Sequence, residues 1–305
     1  MSVHFDRIAI IGMGLIGSSI ARAVRENGLA SHVVAIDAAA EVTARVRALG
    51  IADSATTQAA KGVKKADLVI LCVPVGAYGK VARMIGPQLK AGAIISDVGS
   101  VKAAVVKAVQ PHLSAEAAFI PAHPVAGTEH SGPDAGFATL FSGRWCILTP
   151  PPDAPAEAVA KVGAFWEAIG SKVEIMTPEH HDLVLAVTSH VPHLNAYNIV
   201  GTADDLETVT KGEVIKFSAG GFRDFTRIAA SDPTMWRDVF LHNREAVLEV
   251  LGRFQEDLFS LQRAIRWGEG DKLFDLFTRT RAIRRGIIQM GQETAEPDFG
   301  RVKKT

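Results

Sequence analysis

The stretch Arg7-Ile8-Ala9-Ile10-Ile11-Gly12-Met13-Gly14-Leu15-Ile16-Gly17 decides the fold of this chain. A strand-like apolar run leads into three glycines spaced as G-x-G-x-x-G, and helical spacing then continues to about Glu26. In this setting Gly12 permits a tight turn, Gly14 lets a pyrophosphate approach the backbone, and Gly17 lets helix and strand pack closely. The helix N-terminus offers free N–H groups and partial positive charge to the phosphates.

A carboxylate at the end of the second predicted strand makes this glycine pattern specific. Asp37 follows Ile36 about twenty residues beyond Gly17, where dinucleotide-binding folds hold the ribose. Glycines alone can serve packing, so it is the carboxylate that favours a cofactor site. Asp37 would repel a 2′-phosphate, and Ala38-Ala39-Ala40 offers no arginine to receive one. The sequence therefore predicts NAD rather than NADP.

The first 176 residues alternate between short apolar runs and stretches of helical spacing, which predicts βαβ units and a mostly parallel sheet. The predicted strands are Ile8–Ile11, Val33–Ile36, Leu68–Val73, Ile94–Asp97, Ala118–Pro121, Trp145–Leu148 and Val173–Ile175. The predicted helices between them are Ile16–Glu26, Ala40–Leu49, Tyr78–Leu89, Val101–Val109 and Pro155–Ile169.

After Thr177-Pro178, which suits a helix start, the strand patterns give way to helical ones. We expect an α/β protein with an N-terminal Rossmann-type dinucleotide-binding domain over residues 1–176 and an all-α domain over residues 177–305. The predicted helices of the second domain are Glu179–Val200, Leu206–Phe217, Pro233–Arg266 and Asp271–Gly291.

The composition limits the classes of partner. Of the 305 residues 48% are hydrophobic, and 33 basic residues balance 33 acidic ones, which gives no footprint for nucleic acid or an anionic membrane. No leader pattern and no apolar run of about 18 residues occurs, so we expect a soluble, cytoplasmic protein. Cys72 and Cys146 lie in apolar runs and are interpreted as small buried hydrophobes.

Two further predicted strands end at the carboxyl edge of the sheet, where open α/β folds bind ligands. Val73 and Pro74 follow the first of these strands, and Asp97-Val98-Gly99-Ser100-Val101-Lys102 ends the second. Ser100 suits a helix N-cap, and a cap at this edge can still reach a ligand. The predicted cofactor-binding residues are Gly12, Met13, Gly14, Leu15, Ile16, Gly17, Asp37, Val73, Pro74 and Ser100.

His123 follows the next predicted strand and is expected on a loop at the same edge, where a nicotinamide ring would lie. A histidine with an ordinary pKa of about 6.5 can accept a hydroxyl proton while hydride leaves the carbon. The alternative is a histidine that only bonds the loop backbone. The flanking residues Pro121 and Pro124 stiffen the segment, which suits a positioned group.

Polar residues interrupt the first helix of the second domain. Ser189 and His193 share a helix face, and Pro192 predicts a kink because it removes a backbone bond to Thr188. The histidines here do not form H-E-x-x-H and no cysteine accompanies them, so no metal site is expected. His180 and the neighbouring His181 are interpreted as solvated residues of the first helical turn.

The segment Gly220-Gly221-Phe222-Arg223-Asp224-Phe225-Thr226-Arg227 interleaves apolar and charged residues around a glycine pair. One arginine can pair with Asp224, which leaves the other for a bidentate contact with a carboxylate. The residue pattern alone does not choose between Arg223 and Arg227.

Taken together, these segments resemble the prephenate/arogenate dehydrogenase family, above all its broad-specificity cyclohexadienyl dehydrogenases. The resemblance lies in H-P-x-A-G-T-E at His123–Glu129, S-H-x-P-H at Ser189–His193 and G-G-F-R-D-F-T-R at Gly220–Arg227, in this order. It implies NAD-dependent oxidative decarboxylation of prephenate and/or arogenate to 4-hydroxyphenylpyruvate and/or tyrosine, within tyrosine biosynthesis. It also implies a homodimer that forms through the helical domain.

The resemblance further implies the roles of individual residues. His123 would accept the proton of the ring hydroxyl, assisted by Ser100. The implied substrate-binding residues are Arg227 at the ring carboxylate, Ser189 and His193 around the side chain, Thr128 and Glu129 at the pocket mouth, and Asp224 and Trp236 in the supporting network. Because the last predicted helix ends near Gly291, tyrosine is expected to inhibit by competing with the substrate in the catalytic cleft.

Two other functions stay open on the residues alone. A β-hydroxyacid dehydrogenase or imine reductase would use a lysine or aspartate of the helical domain, for which Lys211 and Lys216 are candidates. Neither lysine accounts for His123 or for the segment around Arg227. A non-catalytic NAD-binding redox sensor fits the same fold, because function depends on the site rather than on the fold.

Overall fold

The structure is a computed structural model that describes residues 3–128, 130–206 and 213–289. By its internal contacts the chain divides into residues 1–247 and residues 248–305, and the candidate site lies within the first unit. In the described part of the chain, the last strand ends at Ile175 and every regular element after it is a helix. The domain boundary near residue 176 stays a prediction.

The main sheet has six parallel strands in the order β3-β2-β1-β4-β5-β6. This is the strand order of a Rossmann fold, in which the order reverses between β1 and β4 and leaves a crevice at the carboxyl edge of the sheet. Within this sheet only β3 was not predicted, because its residues Ser54-Ala55-Thr56 form no apolar run. The strands are β1 (Phe5–Ile11), β2 (Ala30–Ile36), β3 (Ser54–Thr56), β4 (Leu68–Leu71), β5 (Ile94–Asp97) and β6 (Ala118–Ile120).

Both faces of this sheet are covered. Ile8 and Ile10 belong to one apolar cluster, whereas their neighbours Ala9 and Ile11 belong to the cluster on the other face. Successive side chains of a strand point to opposite faces, so a strand buried on both sides is apolar at every position. The helices that follow the strands are α1 (Leu15–Glu26), α2 (Ala40–Leu49), α3 (Ala59–Gly62), α4 (Tyr78–Ile85), α5 (Ala103–Val109) and α6 (Ala156–Ala168).

A second sheet of three strands carries His123. Strands β7 (Ala122–Pro124) and β8 (Trp145–Leu148) pair antiparallel, and β9 (Lys172–Ile175) lies parallel to β8. The prediction that His123 lies on a loop was wrong, because its backbone pairs with Ile147 in this sheet. A three-residue strand that ends in proline shows no alternation of apolar and polar residues, so it could not be predicted from the sequence.

The helical half of the chain departs from the predicted helices, and a further helix forms over Gly220–Thr226 where none was predicted. The helix that contains Pro192 is interrupted by a π-helical turn over Ala186–His190, where a kink was expected. The single predicted helix over Pro233–Arg266 instead breaks at Asn243. The predicted helix Leu206–Phe217 falls partly on residues 207–212, outside the described ranges. The helices are α7 (Pro178–Leu185), α8 (Val191–Asp205), α9 (Glu213–Lys216), α10 (Gly220–Thr226), α11 (Pro233–His242), α12 (Arg244–Trp267) and α13 (Gly270–Gln289).

The second unit consists, as far as it is described, of most of α12 and all of α13. Large apolar side chains stand exposed on both helices in the single chain, among them Phe259, Trp267 and Phe274. Among the helices of the described residues, none is both long and apolar enough to cross a membrane.

Candidate active site

The glycine-rich turn between β1 and α1 has the shape that a pyrophosphate needs. Gly12 has φ +97°, and a Cβ added there would lie 2.2 Å from the Cys72 carbonyl oxygen. A Cβ on Gly17 would lie 1.9 Å from the Gly12 carbonyl oxygen, so both positions require glycine. A Cβ on Gly14 would meet no atom within 4 Å. This open space lies beside the first turn of α1, where backbone N–H groups and the helix dipole favour phosphate.

Asp37 joins the end of β2 to the glycine-rich turn. Its Oδ2 accepts a hydrogen bond of 2.8 Å from the Met13 N–H, and its Oδ1 accepts one of 3.0 Å from the Ala39 N–H. Each carboxylate oxygen has a second lone pair, so the group can still accept hydrogen bonds from ribose hydroxyls. The glycine-rich turn and the Asp37 carboxylate together fit a dinucleotide.

The turn after β4 contacts the helical half of the chain. β4 ends at Leu71, two residues earlier than predicted, so that Val73 and Pro74 lie in the turn itself. The Gly76 N–H in this turn donates to Asp238 Oδ2 on α11 at 3.2 Å. Helix α11, which also carries Trp236, thus contacts the cofactor edge of the sheet.

Ser100 is not the N-cap of the following helix. It lies half-buried in the turn after β5, and α5 begins at Ala103. Asp182, on α7, caps α5 instead, because its Oδ1 accepts from the Lys102 N–H at 2.8 Å and its Oδ2 from the Ala103 N–H at 3.0 Å. The capping residue lies 80 positions away in the sequence, so no local pattern could predict this cap.

A buried ion pair holds the residue that precedes His123. The side chains of Lys102 and Asp97 are both fully buried, with Nζ 2.5 Å from Oδ2. Lys102 Nζ also donates to the Ala122 carbonyl at 2.6 Å, and Asp97 Oδ1 accepts from the Ala122 N–H at 3.2 Å. Burial raises the pKa of Asp97 and lowers that of Lys102, while their mutual attraction opposes both shifts. The pair fixes the backbone of Ala122 on both sides.

His123 lies at the end of a buried chain of hydrogen bonds. It is 8% exposed, and its Nδ1 lies 2.8 Å from Nε2 of His181. The Nδ1 of His181 lies 2.9 Å from Asp182 Oδ1. His180 is exposed, as predicted, but the prediction that His181 is solvated was wrong, because its side chain is fully buried.

A signal for His181 existed in the sequence. The buried positions of α7 are His181, Asp182 and Leu185, which lie on one face of the helix. A histidine next to an aspartate on the buried face of a helix is a pair that can orient a further group. This helix pattern could not predict that His123 is the group that His181 contacts.

The charge state of His123 suits a proton acceptor. Burial lowers the pKa of His123 well below its usual value, and His181, Lys102 and His190 lower it further. His123 is therefore a neutral imidazole at neutral pH, with one nitrogen free to take a proton.

His193 and Trp236 form the helical side of the site. The His193 Nδ1–H donates to the Ser189 carbonyl at 2.8 Å, and its ring stacks on Trp236 at 3.6 Å between centroids. Burial lowers the pKa of His193 to about 4, and the positive charge of the half-buried Arg227 adds to this effect. Trp236 is 6% exposed, and its Nε1–H meets no acceptor among the described residues. A ligand at this point would meet a donor and a cation.

Asn243, at the break between α11 and α12, joins the two sides. Its Nδ2 donates to the Asp182 carbonyl at 2.8 Å and lies 3.0 Å from His190 Nδ1. The His190 ring in turn lies 6.1 Å from that of Trp236. The sequence analysis did not single out Asn243, because only the helix break brings its side chain inward.

Of the other predicted substrate residues, Thr128 and Asp224 lie outside this buried cluster. Thr128 is exposed and its Oγ1 accepts from the His130 N–H at 3.2 Å, while Glu129 falls outside the described ranges. Asp224 is exposed and lies 3.7 Å from Arg223, which makes Arg223 its ion-pair partner. Of the two lysines considered for other chemistries, Lys216 is exposed beside Phe217 and Lys211 lies outside the described residues.

Comparison with known proteins decides the family. The family model for the prephenate dehydrogenase nucleotide-binding domain matches residues 20–175, and the model for the prephenate dehydrogenase dimerization domain matches residues 177–279. The chain belongs to the prephenate dehydrogenase family. This membership confirms the predicted family, the fold class and the prediction of an NAD-dependent oxidoreductase.

Two relatives show how far the likeness to other prephenate dehydrogenase family members extends. A cyclohexadienyl dehydrogenase from Zymomonas mobilis is 46% identical over 283 residues, which cover 93% of this chain and 96% of the relative. A prephenate dehydrogenase from Bacillus subtilis is 32% identical over 96% of this chain and 79% of its own length.

A solved structure agrees with both relatives. The prephenate dehydrogenase of Aquifex aeolicus, crystallised with hydroxyphenyl propionate and NAD+, superposes with a TM-score of 0.88. It is 33% identical to this chain, and the alignment covers 94% of this chain and 100% of that one.

Proposed function

We propose that this prephenate dehydrogenase family member carries out the NAD-dependent oxidative decarboxylation of prephenate and/or arogenate. The observation that carries the proposal is a buried, neutral histidine, His123, next to the carboxyl edge of a dinucleotide-binding sheet. Such a group accepts a hydroxyl proton as the alcohol carbon is oxidised. When bound, NAD+ supplies the acceptor for the hydride.

The chain's own groups account for the movement of the proton. His123 takes the proton of the ring hydroxyl as hydride leaves the same carbon, which becomes a carbonyl. The bond to the ring carboxylate then breaks, CO₂ leaves, and its electron pair enters the ring to give a phenolate. That oxygen takes the proton back from His123, so the step balances without another acid. Holding both reactants in one geometry supplies much of the acceleration.

We assign the binding of the substrate's ring carboxylate to the helical side of the site. Arg227 holds the ring carboxylate, since its charge acts on the half-buried His193 beside Trp236. His193 and Ser189 lie around the side chain of the substrate, and Ser100 assists His123. Motif resemblance alone supports the assignments of Thr128 and Glu129 to the pocket mouth and of Asp224 to the supporting network.

Initial rates of reduced-nicotinamide formation with prephenate and with arogenate test the proposed activity. We expect turnover of at least one of the two with NAD+ and loss of CO₂ in equal amount. No turnover of either would contradict the proposal. Turnover of a β-hydroxyacid or a cyclic imine instead would favour the reductase alternative, and NAD binding without any turnover would favour a redox sensor.

Exchanging the charge at the ribose position is expected to change the cofactor preference. Asp37→Ser with Ala38→Arg should weaken NAD+ and improve NADP+ by about tenfold or more each, because a repelling carboxylate is replaced by a guanidinium. Values of kcat/KM for both cofactors provide the measurement. Asp37→Asn is the matched control, since it keeps an acceptor for the Met13 N–H and adds no cation. If the ratio of kcat/KM for NAD+ to that for NADP+ is unchanged in the double variant, Asp37 does not contact the ribose.

Removing the guanidinium of Arg227 is expected to affect the substrate more than the cofactor. Arg227→Ala should raise the KM of the substrate by about ten- to a hundredfold, which corresponds to a charge-assisted contact of about 1.5–3 kcal/mol. Arg227→Lys should restore little, because an ammonium cannot make the bidentate contact. Arg223→Ala, at the exposed neighbour, is the control. Equal increases in the KM of NAD+ and of substrate would argue against this role.

The predicted inhibition by tyrosine is part of the same proposal. A pocket that accepts the side chain of arogenate should accept that of tyrosine, so tyrosine should compete with the substrate and not with NAD+. His193→Ala is expected to relieve the inhibition while measurable activity remains. Inhibition that is noncompetitive with substrate, or insensitive to this change, would place tyrosine at another site.

We propose a homodimer formed through the helices of the second unit. The exposed apolar side chains of α12 and α13, such as Phe259 and Phe274, favour burial against a second copy. The match of the family's dimerization domain to residues 177–279 supports the same assembly. The cytoplasm is kept as the proposed location on the sequence alone.

A further inference from the structure

We propose that His181 and Asp182 are positioning residues that fix the tautomer of His123, with a proton on Nδ1 and the lone pair on Nε2. The proposal rests on the proposed role of His123 as proton acceptor and adds two residues to it. It follows from a buried chain of hydrogen bonds that runs from the N-terminus of α5 to the His123 ring.

Asp182 determines which nitrogen of His181 carries the proton. Its two oxygens accept hydrogen bonds from the Lys102 and Ala103 N–H groups, at the positive end of α5. Burial raises the pKa of this carboxyl, whereas the two N–H groups and the nearby Lys102 ammonium oppose that shift. Both oxygens are thus used as acceptors, and the group that faces His181 Nδ1 is a carboxylate that can only accept.

The tautomer of His181 in turn determines which nitrogen of His123 carries the proton. Its Nδ1 lies 2.9 Å from Asp182 Oδ1 and must donate, so Nδ1 carries the hydrogen. Burial lowers the pKa of His181 to about 2, which keeps the ring neutral and leaves a lone pair on Nε2. That lone pair faces His123 Nδ1 at 2.8 Å, so the hydrogen between the two rings belongs to His123. The Nε2 of His123 is left as the nitrogen that accepts a proton.

The carboxylate of Asp182 supports the imidazolium form of His123 against the nearer groups, which disfavour it. The charged or titratable groups that act on His123 are His181 from α7, Lys102 from the turn before α5, and His190 from the π-helical turn. The positive charge of Lys102 is partly offset by its ion pair with Asp97, and burial lowers the pKa of His190 to about 4. Asp182 is therefore the negative charge that lies next along the hydrogen-bonded chain, and it stabilises the protonated state.

A purely structural role for His181 makes a different prediction. If His181 only fills space beside β7, a phenylalanine of similar size would serve equally well. If it fixes the tautomer, the ring must offer an acceptor toward His123, and glutamine, whose amide oxygen can reach the place of Nε2, would serve in part. The exposed neighbour His180 provides a matched position without either role.

The test combines ¹⁵N NMR of histidine-labelled full-length protein, with NAD+ bound, and steady-state kinetics. The His123 signals are assigned by their loss in His123→Asn. We expect a protonated Nδ1 and an unprotonated Nε2 on His123 in the unsubstituted protein and in His180→Phe. In His181→Phe we expect signals averaged between the two tautomers.

The kinetic effect should fall on kcat rather than on KM. Loss of the tautomer-fixing aspartate in serine proteases costs about ten-thousandfold, and a histidine that still samples the required tautomer loses less. We expect His181→Phe to lower kcat by about tenfold or more with little change in substrate KM, and His181→Gln to recover much of the loss.

Two results would overturn the proposal. One is a His123 that carries its proton on Nε2 in the unsubstituted protein. The other is a folded His181→Phe variant that keeps both the tautomer and kcat. If His181→Phe does not fold, the unsubstituted protein and His181→Gln still decide between the two roles. The NMR result is independent of the substrate, so absence of turnover with prephenate and arogenate would refute the proposed function without deciding the tautomer.

Discussion

Replacement of His123 by Asn is expected to lower kcat by about two to four orders of magnitude, the range for loss of a general base. Asn at this position in the middle of β7 can still form hydrogen bonds, but its amide cannot act as a base. The cofactor cradle lies on β1, α1 and β2, away from this substitution, so the Kd of NAD+ should be unchanged. Steady-state kinetics and calorimetric titration of NAD+ measure the two quantities.

His180→Asn is the matched control for this change, because His180 is an exposed histidine of the neighbouring helix. It should leave kcat and the Kd of NAD+ at their original values. If the kcat of His123→Asn is within a few-fold of that of the unsubstituted protein, His123 does not act as the base. A parallel loss of NAD+ binding would indicate damage to the fold rather than loss of a base.

Replacement of Lys102 by Met is expected to lower the free energy of unfolding by about 3–5 kcal/mol, the usual result of removing one partner of a buried ion pair. Asp97 would stay fully buried, with hydrogen bonds from the Gly99 and Ala122 N–H groups but without its cation. Ala122 would also lose the donor to its carbonyl. Urea unfolding followed by circular dichroism measures the change.

The pH dependence of this loss has a definite sign. Without Lys102, the pKa of Asp97 in the folded state rises further above its unfolded value of about 4. A raised folded pKa contributes stability that is complete below the unfolded pKa and is lost as pH rises through the folded pKa. The deficit relative to the unsubstituted protein should therefore be smallest near pH 4 and increase toward neutral pH.

Two variants complete the Lys102 experiment. Lys90→Met removes a partly exposed ion pair with Asp67 and should cost no more than about 1 kcal/mol. Asp97→Asn combined with Lys102→Met removes the buried charge and should recover part of the stability. A cost for Lys102→Met as small as that for Lys90→Met would mean that the buried pair is not held as a charged pair.

Local patterns in the sequence were enough for the fold class and for the prediction of a cofactor site at the glycine turn and Asp37. Strands buried on both faces, such as Ile8–Ile11, are apolar throughout, and the glycine turn with Asp37 has a fixed spacing set by the phosphates and ribose. His123 was proposed as a candidate because a short, specific segment carries it. These features depend on neighbours a few residues apart, so one sequence contains them completely.

Only the tertiary structure decided which side chains meet around His123. Its contact with His181 joins residues 58 positions apart, and the cap that Asp182 gives to α5 spans 80 positions. The same holds for Asn243, which turns inward where a single long helix was predicted. The spacing of His181 and Leu185 can indicate a buried helix face, but it does not say which element of the fold covers that face. Packing of distant elements against one another makes that choice, and no periodicity within either segment records it.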